Sequence, residues 1–252
     1  KVSLKSIGLI IVAAIFLFIM ADYVNACSMI AFQNLLDDSL QAIVNKPVEA
    51  LVVVAILPAI IEEFLFRGMI YRGIANKSNK KIAIIISALL FAFLHMNFNQ
   101  MCYAFVMGLV FAIVIYLTDN LSVSILLHML FNAFTVIITC FEKSNAIQAI
   151  LQCNIAGYTL FNPSLTDTQG KIEISLLIIG GLIAILSAVI AGWLILLIAK
   201  TEKTTETTIN NKNILKDNDN IFKNNEKWKP DLRFFAGSGV CILIAILYEI
   251  LL

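Results

Sequence analysis

Seven apolar stretches dominate the sequence and constrain its fold more than any other feature. A helix needs about 20 apolar residues to cross the hydrocarbon core of a bilayer, which is about 30 Å thick. Stretches of this length recur because 60% of the residues are hydrophobic and only 14% are charged. They cover residues 6–22, 48–72, 81–100, 101–118, 121–141, 174–199 and 234–252. We therefore expect an all-α fold, a polytopic transmembrane helical bundle with about seven membrane-spanning helices.

The whole chain, residues 1–252, is expected to form a single integral membrane domain. Only Asn97, Asn99 and Gln100 indicate a turn between the third and fourth stretches, because no charge separates them. Residues 200–233 are rich in Thr, Asn, Lys and Asp, and such a composition predicts a polar, loosely structured loop. The sequence AIQAILQC, in the connection of residues 142–173, predicts a short helix at the membrane interface.

The basic residues of the short connections predict the orientation of the chain. Cytoplasmic loops retain Lys and Arg, so the connection richest in them should face the cytoplasm. Five basic residues cluster around the connection between the second and third stretches: Arg67, Arg72, Lys77, Lys80 and Lys81. This orientation places residues 200–233 inside and the C-terminus outside. We expect a multi-pass protein of the cell membrane, and the abundance of Ile, Lys and Asn indicates a bacterial source.

Charge and cysteine content exclude several other classes. A net charge of +1 gives no indication of a nucleic-acid partner. The five cysteines are scattered without a CxxC pair, which predicts neither a disulfide framework nor a structural zinc site. The sequence around Cys27 only distantly resembles a lipoprotein cleavage box, so we expect the first stretch to be an uncleaved anchor helix.

Three charged residues interrupt the second apolar stretch in the sequence PAIIEEFLFRG. Ionisable groups in a membrane segment cost roughly 2.5 to 3.5 kcal/mol each on insertion scales, and they are retained where the protein supplies a partner. Glu63 and Arg67 are four residues apart and share a helix face, whereas Glu62 points about 140° away from Arg67. We predict an ion pair of Glu63 with Arg67, which leaves Glu62 for another task. The alternative is an interfacial helix end whose charges reach water.

Both histidines of the chain lie in polar clusters within later apolar stretches, FAFLH and HMLFN. Glu62 and His95 are equidistant from the basic turn that joins their helices, so they can lie at the same depth. His128 lies on the order of 12 Å from the start of its helix, and Asn132 follows one turn later on the same face. Either histidine alone would be more typical of a hydrogen-bonded packing residue than of a catalytic one. The occurrence of both in such clusters favours a catalytic site.

These side chains together suit the hydrolysis of a carbonyl compound. A carboxylate can take a proton from water, an imidazole can orient that water, and hydrogen-bond donors can stabilise an oxyanion. His128 and Asn132 are two such donors. Pro58 tends to kink its helix and thereby to open a water-filled pocket beside Glu62. Residues 48–141 are the expected catalytic core.

The motifs EExxxR, FxxxH and HxxxN, in this order on successive helices, resemble those of the CPBP intramembrane proteases. This family includes the type II CAAX prenyl endopeptidases and bacterial relatives linked to bacteriocin processing and self-immunity. The resemblance covers about 75 residues, from Glu62 to Asn132. It implies that the protein is an intramembrane endopeptidase acting on a membrane-associated peptide or protein.

The resemblance also implies a role for each motif residue. Glu62 resembles the glutamate that activates water, and His95 resembles its partner in holding that water. His128 and Asn132 resemble the oxyanion-stabilising pair. Structural support is implied for Glu63 and Arg67, as an ion pair behind the site, and for Phe91, as a packing residue.

Three alternatives remain open from the sequence. Glu62, His95 and His128 could bind zinc, although the chain lacks HExxH and the amide of Asn132 suits an oxyanion better, so we favour a site without metal. A proton-coupled transporter also uses intramembrane carboxylates, but no matching set of motifs occurs in the other half of the chain. A membrane adaptor or immunity protein could use the same scaffold without cleavage.

Overall fold

The computed structural model describes residues 2–32 and 44–214, and most of this part of the chain is helical. Helix α1 spans Leu4–Met29, α3 Lys80–Leu94, α4 Phe98–Thr118, α5 Leu121–Cys140, α6 Asn145–Leu151 and α7 Ile174–Ile214. Helix α2 is a continuous run over residues 47–75. Strands β1 (Asn154–Ile155) and β2 (Tyr158–Thr159) form an antiparallel hairpin between α6 and α7. The predicted helical bundle is confirmed.

Helix α2 changes its hydrogen-bonding pattern along its length. The α-helical segment Leu57–Glu63 lies between two π-helical segments, Leu51–Ile56 and Phe64–Tyr71. Pro58 is near the start of the α-helical segment, where its missing N–H interrupts the backbone ladder. Departures of this kind occur often at functional sites. They surround the two glutamates.

Four helices in the described part of the chain are long and apolar enough to cross a membrane. They are Leu4–Met29, Phe98–Thr118, Leu121–Cys140 and Ile174–Thr205. The second and third predicted spans correspond to the interrupted helix α2 and to α3, which has only 15 residues. The seventh predicted span, 234–252, lies outside the described residues, so the count of seven stays a prediction.

The turn between the third and fourth spans lies earlier than the sequence predicted. Helix α3 ends at Leu94 and α4 begins at Phe98, where the side chain of Asn97 accepts hydrogen bonds from two N–H groups of the first turn. An asparagine cap of this kind defines where a helix begins. Asn99 is buried inside α4, and its Nδ2 donates to Oγ of Ser28 on α1 at 2.7 Å. His95 therefore caps the C-terminal end of α3.

One end of the bundle gathers the polar chain connections, and we call it the basic end. Arg72, in the last turn of α2, forms a 2.9 Å ion pair with Asp119 in the turn between α4 and α5. Glu202 on α7 accepts from Oγ of Ser6 on α1 at 2.6 Å and from Nδ2 of Asn120 at 2.9 Å. These contacts bring the start of α1, the end of α2, the α4–α5 turn and α7 to the same side. That arrangement agrees with the predicted grouping of connections.

The connection of residues 142–173 and the start of residues 200–233 both contain regular structure. Helix α7 continues to Ile214, so the start of the predicted polar loop of residues 200–233 is helical, and its remainder lies outside the described residues. The short helix predicted in AIQAILQC is present as α6. Tyr158 of the β-hairpin packs onto Gly180 of α7, where a Cβ atom would clash with the ring. The β-hairpin thus packs against α7 at the end of the bundle opposite to the basic end.

Candidate active site

The two adjacent glutamates occupy different environments on α2. The side chain of Glu63 is fully buried, whereas that of Glu62 is 12% exposed. Nη1 of Arg67 lies 2.9 Å from Oε1 of Glu63, and both side chains are inaccessible. The ion pair predicted from the four-residue spacing is therefore present, and Glu62 is the glutamate with access to the surroundings.

Arg67 is held at the centre of the bundle by contacts from two other helices. Its Nη2 donates to the carbonyl oxygen of Gly108 on α4 at 3.0 Å. The guanidinium carbon lies 4.5 Å from the ring centre of Phe91 on α3 and 5.3 Å from that of Phe111 on α4. Aromatic faces attract a desolvated cation. The buried charge is thus balanced by Glu63, a carbonyl dipole and two rings.

His128 joins the two glutamates. Its Nδ1 lies 3.0 Å from Oε1 of Glu63, and its Nε2 lies 3.8 Å from Oε2 of Glu62. Because the Glu63 carboxylate is paired with Arg67, it accepts the hydrogen bond, and the proton belongs on Nδ1. In the neutral ring, the lone pair of Nε2 then faces Glu62. A water beside these two atoms could reach both of them.

Phe91 lies between the two histidines. Its ring centre is 5.2 Å from that of His95 and 5.7 Å from that of His128, in edge-to-face arrangements. Nδ1 of His95 lies 3.0 Å from the backbone carbonyl of Phe91, which fixes the direction of the imidazole. Phe91 is buried, in keeping with the predicted packing role. The predicted contact of Glu62 with His95 stays a prediction.

Asn132 lies one turn beyond His128 on α5. Its Nδ2 donates to the carbonyl oxygen of Val54 on α2 at 3.1 Å. In an α-helical pattern this carbonyl would accept from residue 58, but Pro58 has no N–H. Asn132 therefore supplies a donor at the interruption of α2, and one amide hydrogen remains for another acceptor.

The carboxylates and imidazoles of the site are not arranged as a set of metal ligands. Within residues 2–32 and 44–214, no group of three or more His, Cys, Asp or Glu side chains is arranged to share one. Glu63 is engaged by Arg67, Ser124 and His128. The described residues of the site therefore do not form a zinc-binding geometry.

Sequence reasoning missed several residues that complete the site. Ser124 donates to Oε2 of Glu63 at 2.6 Å, and Phe111 stacks on His128 with ring centres 4.6 Å apart. Ser124 lies four residues before His128 on α5, a spacing that could have indicated a shared face. Phe111 and Gly108 belong to a nearly uniform apolar helix, in which no signal distinguishes them.

Comparison with known proteins gives one family match and two similar bacterial proteins. Residues 44–134 match the family model of the Rce1-like type II CAAX prenyl endopeptidases. The membrane-embedded CAAX protease MroQ of Staphylococcus aureus (strain USA300) is 34% identical over 116 residues, which cover 44% of this chain and 47% of the relative. A candidate membrane peptidase of Bacillus subtilis (strain 168), YdiL, is 31% identical over 87 residues, 34% of this chain and 36% of the relative.

The matched segment spans less than half the length of both curated relatives. No solved structure matches the chain significantly. All the predicted site residues, from Glu62 to Asn132, lie within the matched residues 44–134. The resemblance to the Rce1-like type II CAAX prenyl endopeptidases, predicted from three short motifs, is confirmed over this segment.

Proposed function

We propose that this protein is an intramembrane endopeptidase that hydrolyses a peptide bond with water activated by Glu62. The observation that carries the proposal is the placement of Glu62 Oε2 3.8 Å from Nε2 of His128 in a site where Glu62 keeps partial exposure. A carboxylate and an imidazole at this separation can both bond to one water that lies beside them. Glu63, in its buried pair with Arg67, also bonds Nδ1 of His128 and so holds the imidazole in place.

In the proposed reaction, Glu62 takes a proton from the water, and the water oxygen attacks the scissile carbonyl carbon. His95 helps to hold that water. The resulting oxyanion accepts hydrogen bonds from the second amide hydrogen of Asn132 and from His128. His128 can donate only when Nε2 is also protonated, because Nδ1 is committed to Glu63. Transfer of the proton from Glu62 to Nε2 gives His128 protonated on both nitrogens. This proton is finally transferred to the nitrogen of the leaving amine.

The proposed substrate is a membrane-associated peptide or protein, cleaved near the cytoplasmic face of a bacterial membrane. His128 is the eighth residue of α5, which places it roughly 10 Å from the basic end at 1.5 Å per residue. The basic end is the predicted cytoplasmic side. The relatives MroQ and YdiL come from bacteria, where prenylated peptides are an unexpected substrate, and peptide precursors such as those of bacteriocins are the alternative.

The test compares the peptides and membrane proteins of cells that produce the intact protein with those of cells that produce Glu62→Gln. Both proteins must accumulate equally in the membrane. A cleavage product present only with the intact protein supports an endopeptidase and identifies the substrate. Identical peptide profiles, together with identical phenotypes of the two strains, would instead favour the adaptor role.

A further inference from the structure

We propose that Ser124 is a positioning residue that sets the proton position on His128 by holding Glu63. This proposal deepens the proposed endopeptidase function and rests on it for its consequence in catalysis. Its structural part concerns only Ser124, Glu63 and His128, and it can be tested without a substrate.

The hydroxyl of Ser124 makes a short and fully buried contact with the carboxylate of Glu63. Oγ lies 2.6 Å from Oε2, whereas its distance to the carbonyl oxygen of Phe111 is 3.4 Å. A serine hydroxyl has one hydrogen to donate. The shorter contact to a charged acceptor takes that hydrogen, since bonds to ionised groups are the stronger ones.

The two oxygens of the Glu63 carboxylate have different partners. Oε2 accepts from Ser124, whereas Oε1 faces both Arg67 at 2.9 Å and His128 Nδ1 at 3.0 Å. The terminal torsion of a glutamate is broad and is not fixed by the side chain itself. The hydroxyl therefore fixes the carboxylate plane, and Oε1 stays directed at the imidazole.

His128 cannot easily find another orientation. Its ring stacks on Phe111 at an angle of 20° and meets the edge of Phe91. The charged or titratable groups around it are Glu62, Glu63 and Arg67 from α2 and His95 from α3. With the ring plane fixed by aromatic contacts, the orientation of Glu63 decides that the proton sits on Nδ1. Nε2 is thereby kept as an acceptor toward Glu62.

Removing the Ser124 hydroxyl should abolish the preference of the His128 proton for Nδ1. In Ser124→Ala the Glu63 carboxylate can rotate, and His128 should populate both neutral forms. Ser124→Thr retains the hydroxyl and should restore the single form. Ser87→Ala is the matched control, because Ser87 is a fully buried serine on α3 that donates to the Ile84 carbonyl at 3.1 Å and stands apart from these contacts.

The measurement is nitrogen NMR of protein labelled with ¹⁵N only at histidine, in lipid bilayers. The chain has two histidines. A His95→Gln background leaves His128 as the single source of signal. We expect one Nδ1-protonated form in the background protein, in Ser124→Thr and in Ser87→Ala, and a mixture in Ser124→Ala. A spectrum of Ser124→Ala equal to that of the background would overturn the proposal.

A second variant covers the case in which Ser124→Ala does not fold. Ser124→Cys has a similar shape and a weaker donor, and it should also give a mixture of forms. In protein with native His95 and a cleavable substrate, Ser124→Ala should lower kcat roughly 10-fold with little change in KM, because a bond to a charged group is worth about one order of magnitude. Rescue by Ser124→Thr is expected. Absence of cleavage by the intact protein would contradict the proposed function alone, since the NMR result stands independently.

Discussion

Nε2 of His128 lies 3.8 Å from Oε2 of Glu62, across the interface between α5 and α2. The separation is too long for a direct hydrogen bond but lets a water beside the two atoms bond both. The sequence predicted His95 as the partner of Glu62 in holding that water. The structure places a different imidazole, that of His128, beside this carboxylate.

Glu62 and Glu63 should respond differently to the same substitution. Glu62→Gln should lower cleavage by about 100-fold or more, because it removes the general base, and should leave the folded yield unchanged. Glu63→Gln should reduce the yield, since breaking a buried ion pair costs about 3 to 5 kcal/mol. Size-exclusion chromatography in detergent measures the yield, and a peptide assay measures cleavage. Full activity of Glu62→Gln would refute its assignment as the base.

Asn132 has two separable roles in this site, and Pro58 offers a way to separate them. Asn132→Leu should destabilise the protein by about 1 to 3 kcal/mol, because the Val54 carbonyl loses its donor. Pro58→Ala returns a backbone N–H four residues after Val54. In the double variant we expect thermal stability to recover while cleavage remains low, since the oxyanion still lacks its amide donor.

The control for that experiment is Pro58→Ala alone, which should fold and retain most of its activity. Thermal unfolding followed by chromatography gives stability, and the peptide assay gives kcat. If the double variant regains full cleavage, Asn132 acts only by supporting α2, and its oxyanion role is wrong.

Gly108 should tolerate no side chain. A Cβ atom at this position would lie 3.1 Å from Cα of Ala88 on α3. Gly108→Ala should therefore separate α3 from α4, disturb the bond from Arg67 to the Gly108 carbonyl, and cost about 1 to 3 kcal/mol. Gly192→Ala is the matched control, because a Cβ atom there meets nothing within 4 Å. Equal melting temperatures of the two variants would contradict this interpretation of the packing.

The orientation of the chain can be tested through Cys153, which is exposed in the connection after α6. The other four cysteines are replaced by serine for this experiment. A membrane-impermeant maleimide should label Cys153 in intact cells, because its loop is predicted to lie outside. A Ser78→Cys substitution in the basic turn after α2 should be labelled only after the membrane is opened. The reverse pattern would place the site near the outer face.

Cleavage should not depend on zinc. The expectation follows from the donor set, since the described residues contain no three-ligand group and Glu63 is already engaged. The measurement is cleavage by purified protein in detergent before and after a strong chelator, together with metal analysis. Stoichiometric zinc, activity lost on chelation and activity regained with zinc would require His128 to be a metal ligand.

The sequence by itself determined the features that depend on spacing within one helix. Apolar runs of about 20 residues predicted the helical class. The four-residue interval between Glu63 and Arg67 predicted their ion pair, because 3.6 residues per turn places both on one face. The asparagines after α3 indicated a turn, although not its exact position. These relations need no knowledge of a neighbouring helix.

The tertiary structure decided which groups from different helices meet. Rotation and tilt of a helix depend on packing, such as the approach of Ala88 to Gly108, and a one-residue rotation turns a side chain by about 100°. The sequence could therefore not show that Glu63 serves both Arg67 and His128, nor that Asn132 reaches Val54. Pro58 predicted an interruption of α2 on its N-terminal side, but no feature of the sequence predicted the π-helical segment Phe64–Tyr71 that follows the glutamates.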